Sequence, residues 1–327
     1  MRRSQKLTVT DGMTEQAFAD LFVSAGDGLR LYARDYGPRA GAALPVVCLP
    51  GLARTSADFH ELALALSQDG RRSRRVVALD YRGRGRSEYD RDWRNYDVKV
   101  ETADVLQVLT AAGIAEAVFV GTSRGGIIAM ALSAARPALL RGVVLNDIGP
   151  AIEGKGLVRI RGYVGKLPGP ADYAQAVDIL KKLMSAQFTA LSEADWLAWA
   201  RSTWKEEGGR LVLDYDLGLA RTLEGLDLEA PLPPLWFLFE GLKRVPVLAL
   251  RGENSDLLAA ETLAAMSRAH PRLEAMTVPN QGHAPLLHGR DTIQPIKRFV
   301  ARAEDGGMPL PDGLRHSHIS LGGGSRA

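Results

Sequence analysis

Short apolar runs alternate along this chain with longer stretches in which apolar residues recur every three or four positions. Runs of four to eight apolar residues bounded by turn residues fit strands buried on both faces, and the wider spacing fits helices that cover them. The predicted strands are PVVCLPG (45–51), RVVALD (75–80), AVFVG (117–121), GVVLND (142–147), VPVLALRG (245–252) and LEAMTVP (273–279). Helices are predicted over 56–69, with Ser56 as N-cap, and over 98–112, 124–135, 259–270 and 291–303. The 124–135 segment is apolar almost all round, as in a helix buried at the middle of a fold. Ahead of these, LFVSA and LRLYARDYG flank Gly26-Asp27-Gly28 and read as an antiparallel hairpin.

The strand–helix rhythm breaks between Ile148 and about Ala230, where no strand pattern is found. Helical spacing reappears at 171–184 and at 192–204, the latter opening on the capping-type pair Ser192 and Asp195. The pattern therefore predicts an α/β fold: a mostly parallel central sheet with helices on both faces, interrupted by an all-helical cap. The expected divisions are an extension over 1–18, core over 19–147, cap over 148–230, core again over 231–304 and a flexible tail over 305–327. Trp196, Trp199 and Trp204 fall in the cap. Their helical spacing predicts core packing, with one cap aromatic expected to reach a pocket.

Composition narrows the classes. Of 327 residues 46% are hydrophobic and 24% charged, which excludes a disordered or fibrous chain. Lys and Arg exceed Asp and Glu by 41 − 38 = 3. The arginines at 71, 72, 74 and 75 read as a solvated connection, and no aromatics interleave with them, so nucleic-acid binding is not expected. No apolar run approaches the ~18–20 residues of a membrane helix. Two arginines near the N-terminus lack the apolar stretch of a secretory signal, which predicts a cytoplasmic protein without membrane association. Cys48 is the one cysteine, so no internal disulfide and no cysteine-rich metal site is expected.

The strongest chemical signal is Gly121-Thr122-Ser123-Arg124-Gly125-Gly126, which fits G-x-S-x-G between a predicted strand and a buried helix. A serine on so sharp a turn presents its hydroxyl at the sheet edge, beside the positive end of the helix dipole. A hydroxyl needs a base. His283 directly follows the last predicted strand, at the carboxyl edge where α/β sheets bind ligands. His60 and His270 fall in or at the end of helices, His288 stands five residues on, and His316 and His318 lie in the tail. The base needs a carboxylate partner. Asp256, in the loop after VPVLALRG, falls between serine and histidine in chain order, with Glu253 and Asp147 as competitors. The oxyanion donors expected are the backbone amides of Arg124 and of Leu52, the latter in the loop after the first central strand.

These features resemble the α/β-hydrolase superfamily, in its helical-capped esterase, lactonase and carbon–carbon hydrolase branch, over about residues 20–303. Leu79-Asp80-Tyr81-Arg82-Gly83-Arg84-Gly85-Arg86-Ser87 looks like that family's D-x-R-G-x-G-x-S loop. Two departures stand out: Pro50-Gly51 where many members have His-Gly, and Arg124 where many have Met or Gln. The resemblance implies no cofactor and no metal, a triad of Ser123, Asp256 and His283, and a small ester-like substrate, with a homodimer left open. The expected reaction is cleavage of a carboxylic ester or lactone through an acyl-enzyme. Rival readings are a carbon–carbon hydrolase of diketone acids, whose carboxylate Arg124 could hold, a cofactor-free haloperoxidase or perhydrolase, and a small-molecule receptor. A structural role for the Arg124 side chain, paired with Asp80 or Asp147, is the alternative to substrate binding.

Overall fold

The computed structural model describes residues 17–227 and 232–305. The expected extension and tail, with His316 and His318, lie almost wholly outside the described residues. The core opens with β1 (Ala19–Ser24), β2 (Arg30–Tyr36), β3 (Val46–Leu49), α1 (His60–Ser67), β4 (Val76–Asp80), α2 (Val98–Ala111), β5 (Ala117–Thr122), α3 (Arg124–Ala135) and β6 (Leu140–Asn146). A second set follows: α4 (Gly154–Tyr163), α5 (Tyr173–Met184), α6 (Glu193–Thr203), β7 (Trp204–Glu207), β8 (Arg210–Leu213) and α7 (Arg221–Glu224). The chain then returns through α8 (Trp236–Glu240), β9 (Val247–Gly252), α9 (Ala260–Ala269), β10 (Leu273–Val278) and α10 (Arg290–Glu304).

Eight strands form one sheet in the order β1-β2-β4-β3-β5-β6-β9-β10. Only β2 runs against its neighbours, so the sheet is mostly parallel, and β1–β2 is the expected hairpin. Alternation along each strand divides the core between its faces. Val47, Leu49, Phe119 and Val143 pack with α2, α3 and α9, whereas Val46, Cys48, Val118 and Val144 pack with α1 and α10. α3 is buried against β5 and beneath α2 and α8, which is why its sequence lacks a polar face.

Three local expectations are corrected. The predicted helix over 56–69 starts as a 3-10 turn over Ser56–Phe59, and its cap is Thr55, whose side chain accepts from the Ala57 amide. The Ser56 amide is instead drawn to Asp80 at 2.7 Å. The arginine run is not simply solvated. Arg74 is buried and donates to Glu304 and to the Leu44 carbonyl, while Arg75 binds both oxygens of Asp35. These partners are remote in sequence, which hides the pairing from a local reading.

The cap is not all-helical. Beside its helices it carries the antiparallel hairpin β7–β8, turned at Gly208 (φ +58°) and Gly209 (φ +74°). Two adjacent residues with positive φ make the hairpin turn whose twist suits antiparallel strands, and Gly-Gly supplies it at no steric cost. The cap has its own apolar cluster, built from Leu180, Met184, Phe188, Trp196 and Trp204. The predicted capping pair on α6 is present, with Ser192 and Asp195 satisfying each other's backbone amides. Where the hairpin ends, Tyr215 bridges to Arg84 and the Asp214 carbonyl accepts from the Gly85 amide, so the cap is stitched to the R-G-x-G loop.

Burial pushes the Asp214 carboxyl up to about 6, against the pull of Lys205 at 3.5 Å. A carboxyl raised above its unfolded value costs no stability while both states are protonated, and the cost grows as pH rises from about 4 to about 6. Asp214→Asn should therefore stabilise the fold at pH 8 by on the order of 2 kcal/mol, raising the unfolding midpoint, and leave it nearly unchanged at pH 4. Thermal melts at the two pH values check this, and an equal shift at both contradicts it.

Candidate active site

The site is built at the carboxyl ends of four neighbouring strands: β5, β6, β9 and β10. Ser123 sits between β5 and α3 with φ +51°, a conformation costly for a non-glycine residue. Two close approaches make the turn possible. A Cβ on Gly121 would stand 2.5 Å from the Gly125 backbone, and one on Gly125 would stand 2.0 Å from the Leu49 carbonyl oxygen. The Ser123 amide donates to Asn146, and its carbonyl accepts from Gly126 and Ile127, which locks the turn from both sides.

His283 follows β10, with Nε2 2.9 Å from Ser123 Oγ. Its Nδ1 lies 2.8 Å from Asp147 Oδ2. Asp147 is fully buried directly after β6, at φ +56°, and its Oδ1 accepts from the Gly252 amide at 2.7 Å. A buried carboxylate needs such compensation. The Ser255 hydroxyl is a further partner of Oδ2. Hydroxyl, imidazole and carboxylate thus form one hydrogen-bonded chain, in which the imidazole can take the hydroxyl proton while the carboxylate holds the ring.

The carboxylate expected from Asp256 is not the one that meets His283. A turn closed by the Ser255 amide on the Gly252 carbonyl aims residue 255 at Asp147 and sends the next side chain away from it. Asp256 is held by both arms of Arg159 on α4, at 2.7 and 2.9 Å. Burial pushes the Asp256 carboxyl up, but hydrogen bonds from Arg159 and Gln187 outweigh this and leave it below the usual carboxylate range. Asp147 was legible as a competitor because it too ends a strand, and β6 lies beside β5 in the sheet. Glu253 accepts from the Asn280 amide instead.

The other described histidines are engaged elsewhere. His60 Nδ1 meets the Tyr36 hydroxyl and His270 Nε2 the Leu242 carbonyl, and burial holds both rings below the usual histidine value. His288 pairs with Asp195.

The two expected oxyanion donors lie on segments that border the serine. Arg124 is the first residue of α3, where a backbone amide has no acceptor within its own helix. Leu52 lines the same cavity as Ser123. The Arg124 side chain does not line that cavity. Its Nε donates to Glu101 at 2.5 Å and a terminal nitrogen donates to the Tyr96 carbonyl. Its partner is thus neither Asp80 nor Asp147. Glu101 is fully buried and also accepts from Arg84 at 2.6 Å, while Arg84 Nε donates to the Leu52 carbonyl at 2.8 Å. One carboxylate therefore anchors the segments that carry both amides.

The cavity in front of Ser123 has a volume of about 380 Å³. Leu52, Ile160, Tyr163, Met184 and Trp199 supply much of its apolar wall, so Trp199 and Tyr163 are cap aromatics that reach it. Trp199 is stacked on Trp196 and edged by Phe188. Among the described residues no group of three His, Cys, Asp or Glu gathers to hold a metal ion, and no helix is long and apolar enough to cross a membrane.

Comparison with known proteins agrees with this fold. The model of the alpha/beta hydrolase family matches residues 46–301. The chain belongs to the α/β-hydrolase family. It is similar to the 3-hydroxybutyrate-oligomer hydrolase of Cupriavidus necator, 33% identical over 73% of this chain and 82% of the relative. It is also similar to the mouse sn-1-specific diacylglycerol lipase, 29% identical over 80% of this chain and 82% of that one. Among solved structures, an alpha/beta hydrolase from Novosphingobium aromaticivorans superposes with a TM-score of 0.81 at 36% identity, covering 88% of this chain and 99% of its own.

Three outcomes follow from the geometry. Asp147→Asn should lower kcat on an activated ester by about 10³–10⁴-fold, as loss of a triad carboxylate does elsewhere. Asp256→Asn should lower it by about tenfold or less, and initial rates on p-nitrophenyl acetate separate the two. Glu101→Gln leaves two arginines partly unpaired, one fully buried, and should destabilise the fold by about 3–5 kcal/mol in denaturant titration.

Proposed function

We propose that the protein is a serine hydrolase that cleaves a carboxylic ester or lactone of a small, partly apolar substrate. The carrying observation is the continuous contact from Ser123 through His283 to Asp147 at the mouth of an apolar cavity. Ser123 Oγ attacks the acyl carbon while His283 Nε2 takes its proton, and Asp147 keeps the ring oriented and offsets its positive charge. The Leu52 and Arg124 amides receive the oxyanion. His283 then returns the proton to the leaving alkoxide, and an acyl-Ser123 remains. Water, deprotonated by His283, attacks that ester and releases the acid with Ser123 restored.

The names of two relatives, a 3-hydroxybutyrate-oligomer hydrolase and a diacylglycerol lipase, are in keeping with an ester, while a third is named a 2-(acetamidomethylene)succinate hydrolase. The carbon–carbon alternative drew on a free Arg124 to hold a substrate carboxylate, and that side chain is committed to Glu101 and Tyr96.

A fluorophosphonate probe should label the folded protein at Ser123, located by peptide mapping, and Ser123→Ala should abolish both labelling and ester hydrolysis. Full esterase activity in Ser123→Ala, or a label on another residue, contradicts the reading.

A further inference from the structure

The loop after β9 supplies no triad carboxylate, yet it reaches the triad. Ser255 Oγ lies 2.5 Å from Asp147 Oδ2, the same oxygen that faces His283 Nδ1. On its other side, Oγ accepts from the amides of Leu257 at 3.2 Å and Leu258 at 3.1 Å. A hydroxyl has one proton and two acceptor lone pairs. With two amides on the lone pairs, the proton has one direction left, toward Asp147. The carboxylate then receives three donors from two segments: the Gly252 amide and the Ser255 hydroxyl at the end of β9, and the His283 ring after β10.

We propose that Ser255 is a positioning residue of the hydrolytic site: its hydroxyl fixes the Asp147 carboxylate on His283 and draws part of its negative charge away from the ring. This rests on the hydrolytic reading above and adds a fourth member to its hydrogen-bonded chain. The other charged groups of this loop are turned elsewhere. Asp256 is clamped by Arg159, Glu253 accepts from the Asn280 amide, and Arg251 donates to the carbonyls of Leu258 and Glu253. Asp256 is the other carboxylate whose charge His283 feels, and the Arg159 guanidinium opposes it.

The direction of the effect follows from charge. Without the Ser255 proton, Oδ2 keeps more of its charge for the imidazolium, which then loses its proton only at higher pH. The ascending limb of the rate–pH profile should move upward. A hydroxyl that merely braces the loop would lower the yield of folded protein and leave that limb in place.

The test is the rate constant for fluorophosphonate inactivation of the full chain across pH 5–9, for wild type, Ser255→Ala and Ser255→Thr, with unfolding curves to establish that each is folded. Ser255→Ala should show its ascending limb about half to one pH unit higher and a plateau about tenfold lower, the effect of one hydrogen bond to a charged group. Ser255→Thr, which keeps the hydroxyl, should return the limb to the wild-type position. If Ser255→Ala does not fold, Ser255→Cys replaces it, with a near-isosteric and weak donor and the same upward shift. A wild-type limb in the variant lacking the hydroxyl, or a threonine variant displaced as far as alanine, overturns the role of Ser255 alone. Absence of labelling in folded wild type overturns the hydrolytic reading instead, and this proposal with it.

Discussion

A single fully buried carboxylate, Asp147, sets the terms for the rest of the active edge. Removing such a charge from water costs several kcal/mol unless donors surround it. Its donors come from the ends of two other strands, Gly252 and Ser255 after β9 and His283 after β10. The carboxylate therefore acts as the point on which these loops converge. The same demand fixes the backbone. Asp147 and Ser123 end adjacent strands, both at positive φ, and each conformation costs about 1–3 kcal/mol. Ladder-like hydrogen bonds hold them there: Ser123 to Asn146 on β6, and Asp147 to Leu250 on β9. Strain at the two reactive side chains is thus borne by the most buried part of the sheet.

On the opposite side of the serine, Glu101 plays the corresponding part. It is paired with Arg84 and Arg124, and through them it fixes the Leu52 carbonyl and the first residue of α3. Burial, with a smaller push from the Arg124 charge, holds the Arg84 guanidinium below its ordinary value, and the partnership with Glu101 works against that. Arg124 is then explained without a substrate. The residue after Ser123 is here a cation that closes an ion pair with Glu101.

Legibility in the sequence followed the range of the interactions. The strand–helix rhythm, the elbow at Ser123 and the histidine after the last strand depend on neighbours within a few residues, and all three stand where their patterns put them. The acid did not follow, because chain order is satisfied equally by Asp147 and Asp256. What separates them is the direction of one turn, in which Ser255 faces inward and Asp256 outward. The β7–β8 hairpin did carry a local signal in Gly208-Gly209, but its four-residue strands are too short for alternation to stand out. Arg74 and Arg75 had no such signal, since Glu304 and Asp35 are distant in sequence.

Asp256 gains a different sense from this arrangement. By pairing with Arg159 of α4 it ties the cap to the loop in which the preceding residue, Ser255, holds the Asp147 carboxylate. A second arginine, Arg54, makes the matching tie at another edge of the cavity. It grips Asp58 with two nitrogens and donates to Ser202 and Thr203 on α6. Both pairs are only part-exposed, so they are screened less than surface pairs and can hold the cap over the serine. Separate parts of the chain then build the site: strand ends carry Ser123, Asp147 and His283, and α4, α5 and α6 supply much of the cavity wall. A core that keeps its strand ends while its cap changes can serve different acyl groups, and relatives of 33% and 29% identity do carry the names of different ester substrates.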